Sequence, residues 1–295
     1  MIHYDQPVYR PPSEADSLII QAVIGCPHNR CNFCDMYKGK RFFPKPQEDI
    51  YADLMAARQI CGDGERTIFL ADGNAIVLPA QRLAGVCEKA RELFPRLQRI
   101  TTYGSAKFVV KKTPEELKLL AESGLTRIHM GLESGDSQTL LNINKGATPD
   151  TFIKAGRMVL DAGIELSLYV MIGVAGMQRW QEHAVESARI ISEISPTFVR
   201  LRTFVPRENT ALFDEWKAGK LTLPDPWEAL AETRLFIENI ETNTILFSDH
   251  RTNFIDISGA LPEQKDEMIE RIDQVAAWPR NRFRPDTAEL VNWGL

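Results

Sequence analysis

Three of the five cysteines, Cys26, Cys31 and Cys34, fall in one nine-residue stretch, CPHNRCNFC. Thiolates are soft ligands that suit zinc or an iron–sulfur cluster. The C-x4-C-x2-C spacing lets Cys31 and Cys34 chelate from a single turn while Cys26 closes over the same centre from the preceding loop. A four-iron cluster takes one ligand per iron, so three cysteines leave one iron open to a cofactor or substrate. The alternative is a structural zinc site with His28 as the fourth ligand, but no second C-x2-C or H-x3-H half follows. Cys61 and Cys87 lie in helical patterns and read as core or half-buried thiols, too few for a second cluster.

Other groups able to do chemistry come just after apolar runs: Asp72-Gly73-Asn74, Tyr103-Gly104-Ser105, Glu133-Ser134-Gly135, Gly173-Val174-Ala175-Gly176, and the pair Arg200 and Arg202. Singly these are weak signals, because glycines commonly follow strands and arginines commonly sit in structural ion pairs. In order along one chain they describe a mouth where polar and glycine residues gather. Either both arginines point inward with Leu201 against the helices, or only one does; the planar fork of either suits a carboxylate. Farther on, Phe247 to Asn253 (FSDHRTN) places Asp249, His250 and Arg251 after a short apolar strand. Those donors and titratable groups suit substrate contact and catalysis, and an unperturbed His250 titrates near neutrality, where it can move protons. A hydrogen-bonded turn is the competing reading. His28, His129 and His183 read as structural.

The elements that must carry these groups alternate. Apolar runs predict strands over Ser17–Gly25, Thr67–Ala71, Gln98–Tyr103, Leu125–Gly131, Ile164–Ile172, Thr197–Phe204 and Thr244–Phe247. Helical spacing falls between them, over Asp49–Ile60, Ala80–Phe94, Pro149–Ala162, Trp180–Ile194, Pro226–Asn239 and Pro262–Ala276. A further helix begins at Thr113-Pro114-Glu115-Glu116, with threonine as cap and acidic residues against the positive dipole end, and stops at Gly124. Strands alternating with helices of this length predict a parallel sheet with right-handed crossovers, hence an α/β fold with a partial or complete (β/α) barrel. In such folds the site lies at the carboxyl ends of the strands.

With 44% hydrophobic and 25% charged residues over 295 residues, the chain has an ordinary globular composition. No apolar run approaches the roughly 20 residues a membrane helix needs, and the first residues resemble no secretory leader, so a cytoplasmic location is expected. A net charge of −5 argues against a nucleic-acid partner. The Trp278–Leu295 segment, with Arg280, Arg282 and Arg284 among aromatics, reads as a solvated tail.

The cysteine stretch, with Phe33 immediately before Cys34 and DMYKGKRF after it, resembles the cluster loop of the radical S-adenosylmethionine (SAM) superfamily, with one residue more in the first gap than the common C-x3-C-x2-C. The resemblance covers about residues 18–205 and implies a core of six βα units there, an N-terminal arm over 1–17 and a C-terminal helical and strand extension over 206–295. It implies a [4Fe–4S] cluster on Cys26, Cys31 and Cys34, with SAM at the open iron. For SAM it implies Asp72, Gly73 and Asn74 behind the methionyl amine, Glu133 at the ribose, Gly173 and Val174 near adenine, Phe33 on the adenine face, Tyr103 and Ser105 beside the same space, and Arg200 or Arg202 at the carboxylate. It further implies reductive cleavage of SAM to a 5′-deoxyadenosyl radical acting on a small-molecule substrate. The electron would come from an external reductant of flavodoxin or ferredoxin type. The chain as a whole looks most like the single-domain branch related to oxygen-independent coproporphyrinogen oxidase. Two alternatives stay open: 3-amino-3-carboxypropyl transfer from SAM, and a SAM- or haem-binding or electron-transfer protein without radical turnover.

Overall fold

The runs rich in branched and aromatic residues form strands in the computed structural model, which describes residues 1–284; the tail beyond Arg284 lies outside the described residues. The strand expected over Ser17–Gly25 is divided at Ala22 into β1 (Leu18–Gln21) and β2 (Val23–Ile24), and β2 pairs with the short β3 (Phe43–Pro44). The remaining strands are β4 (Thr67–Ala71), β5 (Arg99–Tyr103), β6 (Leu125–Glu133), β7 (Glu165–Ile172), β8 (Phe198–Thr203), β9 (Thr244–Phe247) and β10 (Gly259–Leu261).

The helices are α1 (Gln47–Cys61), α2 (Ala80–Leu93), α3 (Ala106–Val109), α4 (Pro114–Glu122), α5 (Ser137–Asn142), α6 (Pro149–Asp161), α7 (Trp180–Ile194), α8 (Ala211–Lys217), α9 (Pro226–Glu238) and α10 (Lys265–Ala276). Their starts follow capping chemistry. Thr113 accepts from the Glu116 amide at 3.2 Å and Glu116 accepts from the Thr113 amide at 2.9 Å, with Pro114 in the first turn, so α4 begins where the sequence places it. Asp225 and Glu228 repeat this reciprocal box at α9. α10 begins at Lys265 rather than Pro262, because residues 262–264 turn the chain out of β10, with the Lys265 amide donating to the Pro262 carbonyl at 3.1 Å. The elements without a sequence prediction, among them α3, α5, α8 and β10, are too short to show a period.

The chain forms two compact units. The first comprises Met1–Asn29, Met36–Met130 and Lys154–Leu166. In it β1 lies parallel to β4, β4 to β5 and β5 to β6, and Ile20, Ile50, Leu54, Ile68, Phe69, Leu70 and Leu83 are fully buried. The second comprises Arg30–Asp35, Gly131–Ile153 and Ser167–Leu295. There β7 lies parallel to β8 and β8 to β9, while β10 closes antiparallel on β9. Its core is built from Leu168, Val170, Ile190, Ile191, Val199, Phe236 and Leu246. The sheet is thus mixed but mostly parallel, with helices as its crossovers, as the alternating pattern predicts. No helix among the described residues is long and apolar enough to cross a membrane.

Candidate functional site

In the first unit, the turn after β4 supports the root of the cysteine loop. Asp72 is fully buried; its Oδ1 accepts from Gln21 Nε2 at 3.0 Å, its Oδ2 accepts from the Gly25 amide at 3.0 Å, and Lys40 Nζ stands 3.7 Å away. Burial raises its carboxyl pKa above the usual range, with the bonds from Gln21 and Gly25 acting against that shift. Both oxygens are therefore used inside the protein. At Gly73 an added Cβ would lie 2.9 Å from the Tyr37 ring, 3.0 Å from Cys26 Cβ and 3.2 Å from the Gly25 carbonyl oxygen, so only glycine lets this turn approach Cys26. Asn74 is buried, and its side-chain oxygen accepts from the Ser105 amide at 3.3 Å, which brings the turns after β4 and β5 together. Tyr103 stands edge-on to Phe69 at 5.0 Å and to His129 at 6.2 Å. His28 Nδ1 lies 3.1 Å from Lys107 Nζ.

In the second unit, the Arg30–Asp35 segment is clamped to the end of α5. The Asn32 amide donates to the Ile143 carbonyl at 2.9 Å, its side chain donates to the Asn142 carbonyl at 2.6 Å, Asn144 donates to the Arg30 carbonyl at 2.9 Å, and the Leu212 amide donates to the Asn32 carbonyl at 3.0 Å. These bonds fix the backbone that carries Cys31, Phe33 and Cys34. Sequence reasoning missed Lys145. Its ammonium lies 2.9 Å from Glu133 Oε1 and 5.5 Å from the centre of the Phe33 ring. Burial alone would lower its pKa; Glu133, Cys31 and Cys34 outweigh burial and raise it. The signal available was the spacing of Lys145 after the Glu133 motif, on the far side of a helix too short to predict. Glu133 is buried with a left-handed φ of 65°, and an added Cβ at Gly131 would collide with its Oε1. A bulky residue in that region costs about 1–2 kcal/mol and is kept where surrounding bonds over-determine it.

The end of β7 is held from behind. The Gly173 amide donates to Glu232 Oε1 at 3.0 Å; His183 Nε2 lies 3.2 Å from the same oxygen, and His183 Nδ1 lies 2.8 Å from Ser134 Oγ. His183 and Glu232 are fully buried. Burial lowers the histidine to about 4 and raises the carboxyl to about 8, so each favours its uncharged form. Val174 is buried beside Gly173.

Along β8, Val199, Leu201 and Thr203 are buried and Arg200 and Arg202 are half-buried. Leu201 and Thr203 line a small cavity with Ala229, Leu230 and Thr233 of α9, so both arginines take the opposite face. This settles the alternation in favour of a shared face. The Arg200 guanidinium stacks over Phe247 at 4.5 Å and lies 3.8 Å from Asp249. The segment after β9 is anchored by buried Asn253, which accepts from the Thr203 amide at 2.7 Å and donates to the Leu201 and Ser248 carbonyls at 2.9 and 3.0 Å. Asp249 and Arg251 are left exposed. His250 does not titrate near neutrality: burial and then Arg202, Arg251 and Arg284 pull it down to about 4.

Cys26, Cys31 and Cys34 are half-buried cysteines. Cys87 is fully buried, and burial pushes its thiol up to about 12, whereas Cys61 is exposed at the end of α1 rather than packed in the core. Among the described residues no group of three or more His, Cys, Asp or Glu side chains is already drawn together as an ion site. The fit to a thiolate-held cluster therefore rests on the type, spacing and accessibility of these three sulfurs, and on those grounds they fit.

A mostly parallel α/β chain with three thiols in one nine-residue loop and polar strand ends has the makings of an α/β protein that holds a thiolate-bound group. Residues 20–188 match the model of the Radical SAM superfamily, and the chain belongs to that family. The cofactors generic to the family are a [4Fe–4S] cluster and SAM. Among curated proteins the chain is similar to a haem chaperone, HemW of Bacillus subtilis, at 23% identity over 68% of this chain and 54% of the relative. It thus spans about half the length of that relative. Among solved structures it is similar to methylornithine synthase, PylB, with a TM-score of 0.53 at 17% identity over 95% of this chain and 85% of that one. It is also similar to coproporphyrinogen III oxidase, HemN, of Escherichia coli, with a TM-score of 0.55 at 15% identity over 75% and 51%. These likenesses bear out the expected fold.

Proposed function

We propose that this chain is a radical SAM enzyme acting on a small-molecule substrate. The observation that carries the reading is the presence of three half-buried cysteines in one nine-residue loop inside the family match. Cys26, Cys31 and Cys34 would hold the [4Fe–4S] cluster. When bound, the cluster supplies the electron that cleaves SAM to methionine and a 5′-deoxyadenosyl radical, and the protein orients and shields. Residues 18–205 form the core, and the 206–295 extension brings in the 248–253 loop.

The chain's own groups divide this work. Asp72, with both oxygens engaged, positions the Gly25–Cys26 root, while Gly73 and Asn74 border the methionyl end. Phe33, Tyr103 and Ser105 border the adenosine. Glu133, oriented by Lys145, offers its remaining acceptor capacity to ribose hydroxyls. Gly173 and Val174 present backbone to adenine, and Arg200 takes the SAM carboxylate. Asp249, His250 and Arg251 contact substrate. With a pKa near 4, His250 serves as a neutral hydrogen-bond donor at pH 7 rather than a proton shuttle. An external one-electron reductant of flavodoxin or ferredoxin type and a reducing cytoplasmic setting complete the reading. The scaffold likeness to coproporphyrinogen oxidase does not carry its substrate across.

The test is anaerobic reconstitution with iron and sulfide, then SAM and dithionite, with the nucleoside products separated by mass. 5′-Deoxyadenosine, lost in Cys34→Ala, is the expected result. Methylthioadenosine instead would replace the reading with aminocarboxypropyl transfer, and intact SAM would leave a binding role.

A further inference from the structure

The end of β8 and the loop after β9 gather more donors than acceptors: the carboxylate of the 248–253 loop, Asp249, faces Arg200 at 3.8 Å. Arg200 and Arg202 share one strand face, two residues or roughly 6.6 Å apart along the strand. Each has a buried Nε without a hydrogen-bond partner among the described residues. Arg200 is held by Phe247 and Asp249; Arg202 has no such tie. His250 lies in the loop that Asn253 bonds to the backbone on both sides of Arg202. The Thr252 amide approaches His250 Nδ1 at 3.2 Å, and the Thr252 hydroxyl lies at 2.8 Å. A backbone N–H only donates, so Nδ1 accepts, and the neutral ring carries its proton on Nε2. Arg251 is exposed beside it, and Arg202, Arg251 and Arg284 are the charges that act on the imidazole. Arg284 spends part of its guanidinium on the His250 and Asn253 carbonyls, at 3.2 and 3.4 Å. What remains is two guanidiniums and an imidazole N–H, all donors.

A site lined by donors is matched by a ligand that only accepts, and an oxyanion presents acceptors alone. We infer that Arg202, Arg251 and the His250 Nε2–H bind a carboxylate or phosphate group of the substrate, at a position separate from the SAM carboxylate. This deepens, and rests on, the proposal of a SAM-dependent enzyme. The strand spacing supports two anions rather than one: Arg200, fixed over Phe247, serves SAM, and Arg202, one pleat further toward the loop, serves the substrate. The substrate class is then an anionic small molecule, and the group held at Arg202 sets the register of its reacting carbon.

The test uses the full chain, reconstituted with its cluster, and inorganic phosphate as the probe, titrated calorimetrically with and without saturating SAM. Saturable phosphate binding that persists with SAM present is expected. Arg202→Gln and the exposed Arg251→Gln should each weaken it about tenfold, the loss of one charge-assisted contact, while SAM affinity stays within about twofold. Arg202→Lys, which keeps the charge but not the fork, should recover part of the loss. Phosphate that competes with SAM, or an Arg202→Gln protein that weakens SAM as much as phosphate, would reassign Arg202 to the SAM carboxylate and overturn the inference. Absence of saturable binding in the wild type, or unchanged binding in both glutamine variants, would overturn it too. The readout does not depend on turnover: phosphate binding by a protein that makes no 5′-deoxyadenosine would sink the enzyme proposal and leave this site standing.

Discussion

The first unit pairs its buried charges, and the second leaves several of its polar groups uncharged or unmatched. In the first, Glu14 and His129, both fully buried, lie 3.0 Å apart, and Arg99 stands 3.4 Å from the other Glu14 oxygen. Burial opposes ionisation of Glu14, but hydrogen bonds from His129 and Ser17 overcome it and hold the carboxyl at about 2. Asp72 is engaged on both oxygens, and Lys45 pairs with Asp53. In the second, Glu232 and His183 face each other as neutral groups, and Arg202 keeps an unpartnered Nε with no other tie among the described residues. Arg82 and Arg99 of the first unit, whose Nε atoms are also unpartnered, are engaged through their other nitrogens on the Lys45 carbonyl and on Glu14. A satisfied buried charge maintains architecture; a donor left over is available to a ligand.

The largest expected break in this contrast is Asp72→Ala, which strands the Gly25 amide in a buried space and leaves the Gln21 side chain with Asp5 alone. It should cost about 3 kcal/mol in denaturant unfolding and lower iron retention after reconstitution. Glu14→Gln should cost about 2 kcal/mol at pH 7. It should also flatten the acid limb: the wild type loses the Glu14 contribution as pH falls from its ordinary 4.5 toward about 2, because the folded carboxylate resists the proton the unfolded chain accepts.

Glu232→Gln should act with the opposite sign. Folded Glu232 keeps a proton that the unfolded chain releases above 4.5, so its contribution is lost as pH rises toward about 8. The amide keeps an acceptor for the Gly173 amide, and the variant should exceed the wild type above about pH 8 by on the order of 1 kcal/mol, measured by unfolding across pH. The smallest effect belongs to Arg202→Gln, within about 0.5 kcal/mol in unfolding, since no internal partner is lost. A larger loss there would mean that Arg202 is structural and would erase the contrast.

The βα alternation was legible because it needs only periodicity, and the α4 cap because its chemistry is local. The cysteine loop was legible because its ligands are adjacent in sequence. Lys145 was not, since its tie to Glu133 runs across a six-residue helix that shows no period. The Glu232–Gly173 bond was hidden for another reason: a glutamate in an amphipathic helix reads as surface until packing turns it inward. The fall of His250 to about 4 likewise depends on arginines distant in sequence, Arg202 and Arg284.

Asn253 bears on how such a protein can change its specificity over evolutionary time. By fixing the loop to β8 through backbone groups, it leaves the identities of Asp249 and Arg251 outside the framework that holds the loop, while His250 is tied into it through Nδ1 and Thr252. Those two positions can drift, or be exchanged in a library, while the attachment point stays put. Under the proposed role of this loop, a new substrate preference requires two codons rather than a new fold.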